Sequence, residues 1–190
     1  MRIFIAVLVL IFSFQSWTKA DGVTDLEIEG MSIGDSLLDF MDESEMYYLF
    51  LYEDKSFKTT YYDKPKIYDA IQISVKPDDK NYIIHNISAK IYYNKNYNDC
   101  LKNKKEITES FKSIIGSNAK TQSENNIKRS FDPTGNSTWS YYAFYFADGS
   151  AAQVFCTDWS EELLKSKSYV DELKAALYSI EFSNFLLNDK

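Results

Sequence analysis

The side chains with the most chemical reach are few: one histidine, His85, two cysteines, Cys100 and Cys156, and 28 acids. A Ser-His-acid relay needs a presented nucleophile, and no G-x-S-x-G elbow occurs in the chain. If the cysteines pair with each other, no thiolate is left for a Cys-His site, and the single histidine falls short of the His/Cys set that zinc takes. By alternation His85 points with Ile83, Ile87 and Ala89 to the apolar side of its strand, the usual place of a hydrogen-bonded core histidine. Asp39, Asp42, Glu43 and Glu45 crowd the stretch DFMDESE. It lacks the glycine of a calcium loop, so these acids read as solvated. The sequence therefore predicts no catalytic residue, no metal and no cofactor.

Residues 1–20, MRIFIAVLVLIFSFQSWTKA, carry Arg2 before an apolar run from Ile3 to Phe14 and end on the small residue Ala20. This is the pattern of a signal peptide cleaved after Ala20, with an uncleaved N-terminal anchor as the alternative. The run is short of the about 20 residues that span a bilayer. No later stretch approaches that length, so no membrane insertion is expected after cleavage. An exported chain with two cysteines is expected to join them. Free thiols or a redox pair are the rivals, and the absence of C-x-x-C weakens the second.

Arg2 and Lys19 lie in residues 1–20, so of 21 basic side chains 19 remain beyond Ala20 against 28 acids, a net charge of −9. That balance disfavours nucleic acid, whose phosphates need clustered Lys and Arg, and anionic membrane surfaces alike. Lys102, Lys104 and Lys105 do cluster, but Glu106 and Glu109 accompany them at helical spacing.

The elements that must position any site follow from periodicity. Tyr47–Tyr52 and Phe57–Tyr62 read as one hairpin, and Ile67–Lys76 with Tyr82–Tyr93 as a second, around Pro77-Asp78-Asp79-Lys80. In the second hairpin Ile67, Ile71, Ile73 and Val75 share one face, while Tyr68, Gln72, Ser74 and Lys76 share the other. Asn98 or Asp99 caps a helix running to Ile115 with Cys100, Ile107, Phe111 and Ile114 on one stripe, and Gly116 stops it. Residues 117–137 are polar and read as a long exposed loop. At the C-terminus Ser168 and Asp171 predict a helix bearing Leu173, Ala176, Leu177 and Ile180; a strand over Leu173–Leu177 followed by a helix Glu181–Leu187 is the alternative.

Ser137–Ala147 and Ser150–Thr157 flank Asp148-Gly149, a strong hairpin signal. A two-residue loop sets Phe146 against Ala151, Phe144 against Gln153 and Tyr142 against Phe155. One face would then hold Tyr141, Ala143, Tyr145, Ala152, Val154 and Cys156, under the helix that carries Cys100. The other would hold Tyr142, Phe144, Phe146 and Phe155, an aromatic strip available to a protein partner or a hydrophobic small molecule unless a terminal segment covers it.

The opening stretch, EIEGMSIGDSLLDFMDESEM, pairs Ser32 with Asp35 at capping-box spacing and predicts two helical turns bearing Ile33, Leu37, Leu38 and Met41. IEGMSIGDSLLDF, YDAIQISVK, DKNYIIHNISAKIYY, the Cys100 helix and FCTDWS together resemble uncharacterised exported proteins of marine alphaproteobacteria. That resemblance implies a periplasmic address and no activity. Gly30-Met31-Ser32 and the Leu37-Leu38 turn are also similar to the opening of an outer-membrane assembly lipoprotein family, but the lipid-attachment cysteine of that family is missing.

The expectation is one α+β domain over residues 21–190. An antiparallel β-meander sheet carries a long helix on one face, short helices stand at the N- and C-terminal ends, and one disulfide joins Cys100 to Cys156. Its expected function is a non-enzymatic periplasmic or secreted binding or protein-interaction module. The alternatives are a small secreted hydrolase using acidic residues, or an inhibitor of an extracellular hydrolase that presents residues 117–137.

Overall fold

A computed structural model describes residues 19–52, 55–93, 96–166 and 169–188. The predicted signal segment up to residue 18 lies outside them. Among the described residues eight strands form one antiparallel sheet: β1 (Tyr48–Leu51), β2 (Lys58–Tyr62), β3 (Ala70–Val75), β4 (Ile84–Tyr92), β5 (Ala119–Lys128), β6 (Thr138–Phe146), β7 (Ala151–Asp158) and β8 (Glu172–Tyr178). Their spatial order is β1-β2-β3-β4-β8-β7-β6-β5, so two meanders meet on a central last strand. Three helices accompany it: α1 (Tyr97–Ile115), α2 (Glu161–Ser166) and α3 (Ile180–Asn188).

Alternation decides which face each strand buries. Ile71, Ile73, Val75, Ile84, Ile87, Ala89, Leu173, Ala175 and Leu177 point to one side and form the main core with α1 and the segment 20–46. Helix α1 is capped by Asn96, whose side chain accepts from the Asp99 N–H at 3.4 Å, two or three residues before the expected cap. Its buried stripe is Cys100, Thr108, Phe111 and Ile115; Ile114 stands 47% exposed. The disulfide Cys100–Cys156 joins α1 to β7, with Cα atoms 6.0 Å apart.

Four expectations need correction. The opening stretch is not a helix through Gly34: that residue has φ +97°, outside the right-handed region. Ser32 to Asp35 instead close a turn, with the Ser32 N–H on Asp35 Oδ2 at 2.8 Å, and the stretch coils only in two short 3-10 turns, Leu37–Asp39 and Glu43–Glu45. The turn docks on the sheet, its Gly34 N–H donating to the Ile84 carbonyl at 3.0 Å. Residues 117–137 are not one loop, since β5 runs through Ala119–Lys128 as the exposed edge of the sheet. An edge strand wet on both faces has no apolar alternation to betray it. The rest of that stretch is tied by Asp132, whose carboxylate accepts from the Thr134 and Ser137 N–H groups and both hydroxyls. Burial pushes the Asp132 pKa up, but those bonds outweigh it and hold the carboxyl well below its usual range. Third, the segment after Asp171 is β8 and then α3, the alternative reading, because Leu173, Ala175 and Leu177 alternate with Glu172, Lys174 and Ala176.

The fourth correction is the register of the last hairpin. Phe146 N–H donates to the Ser150 carbonyl at 3.0 Å and Gly149 N–H to the Phe146 carbonyl at 3.1 Å, so the loop holds three residues rather than two. Gly149 supplies the left-handed position such a loop requires, at φ +90°. Asp148 adds a side-chain acceptor for the Ser150 N–H at 2.8 Å. The partners become Tyr145–Ala151, Phe144–Ala152, Tyr142–Val154 and Tyr141–Phe155. A one-residue slip exchanges faces: Tyr142, Phe144 and Phe146 join Cys156 under α1, and Phe155 stays on the opposite face.

Candidate functional site

The expected aromatic strip is thus no surface. Phe144 is fully buried, with its ring edge-on to Phe111 at 6.1 Å, and Phe146 is buried beside it. Tyr142 is half-buried, with the Lys112 ammonium 4.5 Å from its ring centroid. Phe155, also buried, belongs to a separate cluster with Tyr141 and Ala143.

The face turned away from α1 holds a different arrangement. At one end α3 lays Phe182 and Phe185 against Phe57 and Tyr178. At the other, Trp139 stacks on Tyr141 at 4.9 Å and meets Phe155 at 5.8 Å. Between the two aromatic blocks the strands present hydroxyls, amides and charges. Thr59 Oγ1 and Ser74 Oγ lie 2.9 Å apart, Asn86 Nδ2 donates to Ser74 Oγ at 3.1 Å, and Ser88 Oγ donates to Asn86 Oδ1 at 2.9 Å. This buried chain crosses β2, β3 and β4 and satisfies its members mutually, as buried polar groups require.

A pocket of about 120 Å³ opens over that chain. Thr59, Gln72, Ser74, Asn86 and Ser88 line its polar side; Tyr52, Tyr178, Phe182 and Leu186 line its apolar side. Lys174 is the one charged residue of its lining. Register explains why the lysine stands there. Lys90 on β4, Lys174 on β8 and Phe155 on β7 are consecutive cross-strand partners on this face. Glu172 takes Lys90 Nζ at 3.2 Å and Lys174 Nζ at 3.8 Å, and the Lys174 ammonium sits 5.1 Å from the Phe155 ring centroid. Burial pushes the Lys174 pKa down to about 8; Glu172 opposes that shift, while Lys90 and Arg129 add to it.

Arg129, just past β5, completes the far side. Its guanidinium lies 4.3 Å from the Trp139 ring centroid and donates from Nη2 to Thr157 Oγ1 at 3.1 Å. Stacking and a hydroxyl hold this cation, and burial lowers its pKa.

His85 is also on this face, opposite to the side expected for it. The register shift between Ser74 and Val75 lets Ile84 and Ile87 both face the core, and His85 turns outward to Phe57 at 5.4 Å. His85 Nδ1 lies 3.0 Å from Ser179 Oγ and 3.7 Å from Glu181 Oε2. A hydrolytic relay puts the nucleophile and the acid on different ring nitrogens; here both converge on one. Ser179 Oγ is moreover occupied at the start of α3, accepting from the Phe182 N–H at 3.1 Å. The trio is therefore an anchor for α3.

That anchor has a pH dependence. Burial, the largest influence, lowers the His85 pKa from its ordinary 6.5, Glu181 opposes this, Lys76 reinforces it and Asp79 opposes it. The unfolded chain then takes the proton first, so the stability contributed is full above about pH 6.5 and is lost as pH falls through 6.5 towards the folded value. Between pH 7 and 5.5 the thermal midpoint of the wild type should fall more steeply than that of His85→Gln, measured by circular dichroism. Parallel slopes would refute the assignment.

None of the residues expected to form a binding surface, Tyr142, Phe144, Phe146 and Phe155, lines this pocket. The Gln72 and Ser74 side of β3 was visible in alternation. Lys174 was missed because its segment carries helical spacing as well, and Arg129 because it fell in a presumed loop. Among the described residues no helix is long and apolar enough to cross a membrane. Comparison of the chain with protein-family models, curated proteins and solved structures finds no match in any of the three.

Proposed function

We propose that this chain is a non-enzymatic binding module of the periplasm or extracellular space. On this reading the site is the Lys174 pocket on the sheet face away from α1, and its ligand is a small molecule with one ring. The carrying observation is the lining: a polar floor under aromatic walls, on a face where stability alone would favour either water or a continuous apolar layer. Size sets the ligand class. A cavity of about 150 Å³ accepts benzene, whereas drug-sized ligands need about 300 Å³ or more; at about 120 Å³ this pocket fits a single ring or less. The buried disulfide supports an address outside the reducing cytoplasm.

At roughly 0.5 kcal/mol per non-hydrogen atom a ring-sized probe should bind with a Kd on the order of a millimolar. Titration of the isotope-labelled, oxidised protein with benzyl alcohol and with benzoate should give saturable amide shifts centred on Thr59, Ser74, Asn86 and Ser88. If neither probe moves those amides, the pocket is not a binding site.

A further inference from the structure

Within that reading of the pocket, which it rests on, the structure assigns a ligand chemistry. We propose that the pocket selects a small aromatic carboxylate, its carboxylate on the Lys174 ammonium and its ring against the Tyr52 and Phe182 side.

Three observations carry this. First, Lys174 alone brings charge to the lining, so an anionic ligand replaces the water displaced from its ammonium more strongly than a neutral acceptor does, and a cationic ligand is repelled. Second, its neighbourhood is short of negative charge. Lys90 stands directly opposite Lys174 across β4 and β8, a like-charge pair that a sheet ordinarily avoids. Glu172, the acid between them, is closer to Lys90, at 3.2 Å against 3.8 Å for Lys174. Arg129 adds a further positive charge to the field at Lys174. Two cations to one anion therefore act on this ammonium, in a chain whose net charge is −7. A monoanion on Lys174 brings the local count to three cations and two anions, and with one ammonium in the lining a second negative charge would have no lining partner. Third, the polar floor has hydroxyls and amides at its surface. Asn86 donates to Ser74, and Ser74 and Thr59 share one hydrogen bond, so the floor can turn a hydroxyl hydrogen toward an acceptor. The aromatic walls argue for the ring. Tyr52 meets Phe182 edge-on at 6.3 Å, which leaves one face of the pocket lined by ring carbon rather than by further donors.

Titration at pH 7 with benzoate, benzyl alcohol, benzylamine and inorganic phosphate, followed by the same amide shifts, tests the assignment. Benzoate should bind at least about tenfold more tightly than benzyl alcohol, the scale of one charge-assisted hydrogen bond, and benzylamine and phosphate should bind more weakly than either. The benzoate affinity of the wild type should drop as pH rises from 8 to 10, while that of benzyl alcohol stays level. Lys174→Met should abolish the preference and keep benzyl alcohol binding; if that variant does not fold, the wild-type pH profile decides. Equal affinities for benzoate and benzyl alcohol, or a benzoate affinity flat in pH, overturn the carboxylate assignment and leave the pocket standing as a site. Phosphate matching benzoate overturns the role of the ring. Silence from all four probes removes the pocket itself, and this assignment with it.

Discussion

Cys100→Ala combined with Cys156→Ala is expected to lower the unfolding free energy by about 4 kcal/mol. The bridge closes a loop with a sequence separation of 56 residues, and the chain entropy removed from the unfolded state grows with the logarithm of that length. In a chain of 190 residues this corresponds to a midpoint lower by roughly 10–15 °C. Alanine is the informative replacement because both sulfurs are fully buried, and serine would leave a hydroxyl in the core. The loop takes in most of α1, all of β5 and β6, and most of β7. The core contribution of α1 is Cys100, Phe111, Ile115 and half-buried neighbours, and β5 is exposed along nearly its whole length. Urea unfolding of the wild type under reductant should coincide with that of the double variant. A difference below about 1 kcal/mol between oxidised and reduced protein would show that native contacts already restrict this loop in the unfolded ensemble.

How far the fold could be read in advance depends on which force placed each element. The β3–β4 hairpin and α1 were legible because one face of each is apolar at the right period, and burial then has one solution. The disulfide was legible from the count of cysteines and the apolar company of Cys156. Gly34 illustrates the converse: Ser32 and Asp35 have the spacing of a helix cap, and the reciprocal bond does form, but a left-handed glycine between them turns the chain away. Strand β5 was invisible because it has only β6 as a neighbour, so hydrogen bonding rather than burial makes it a strand. Lys174 was hidden for the opposite reason. At the centre of the sheet, pairing on both sides overrides the helical propensity of Leu-Lys-Ala-Ala-Leu. The candidate site inherits these limits, since its charged half lies on the two elements whose nature only long-range pairing decides.

The register of the last hairpin carries the second large effect. Phe144→Ala is expected to cost about 3–5 kcal/mol, the usual range for removing a fully buried ring. Tyr145→Ala, one residue on, should cost about 1 kcal/mol or less, because Tyr145 is 38% exposed on the other face. A two-residue loop would reverse that contrast, placing Tyr145 beneath α1 and Phe144 in the open strip with Phe155. Double-mutant cycles separate the two registers without reference to absolute stability. Phe111→Ala and Phe144→Ala should couple by about 0.5–1.5 kcal/mol, since their rings meet edge-on at 6.1 Å. Phe144→Ala and Phe155→Ala should be additive within about 0.5 kcal/mol, because the sheet lies between them. Coupling of the second pair with additivity of the first would move Phe144 to the ligand face. That outcome would bring Phe144 onto the face where Phe155 pairs with Lys174, and the aromatic cluster of Tyr141, Ala143 and Phe155 would have to be redrawn.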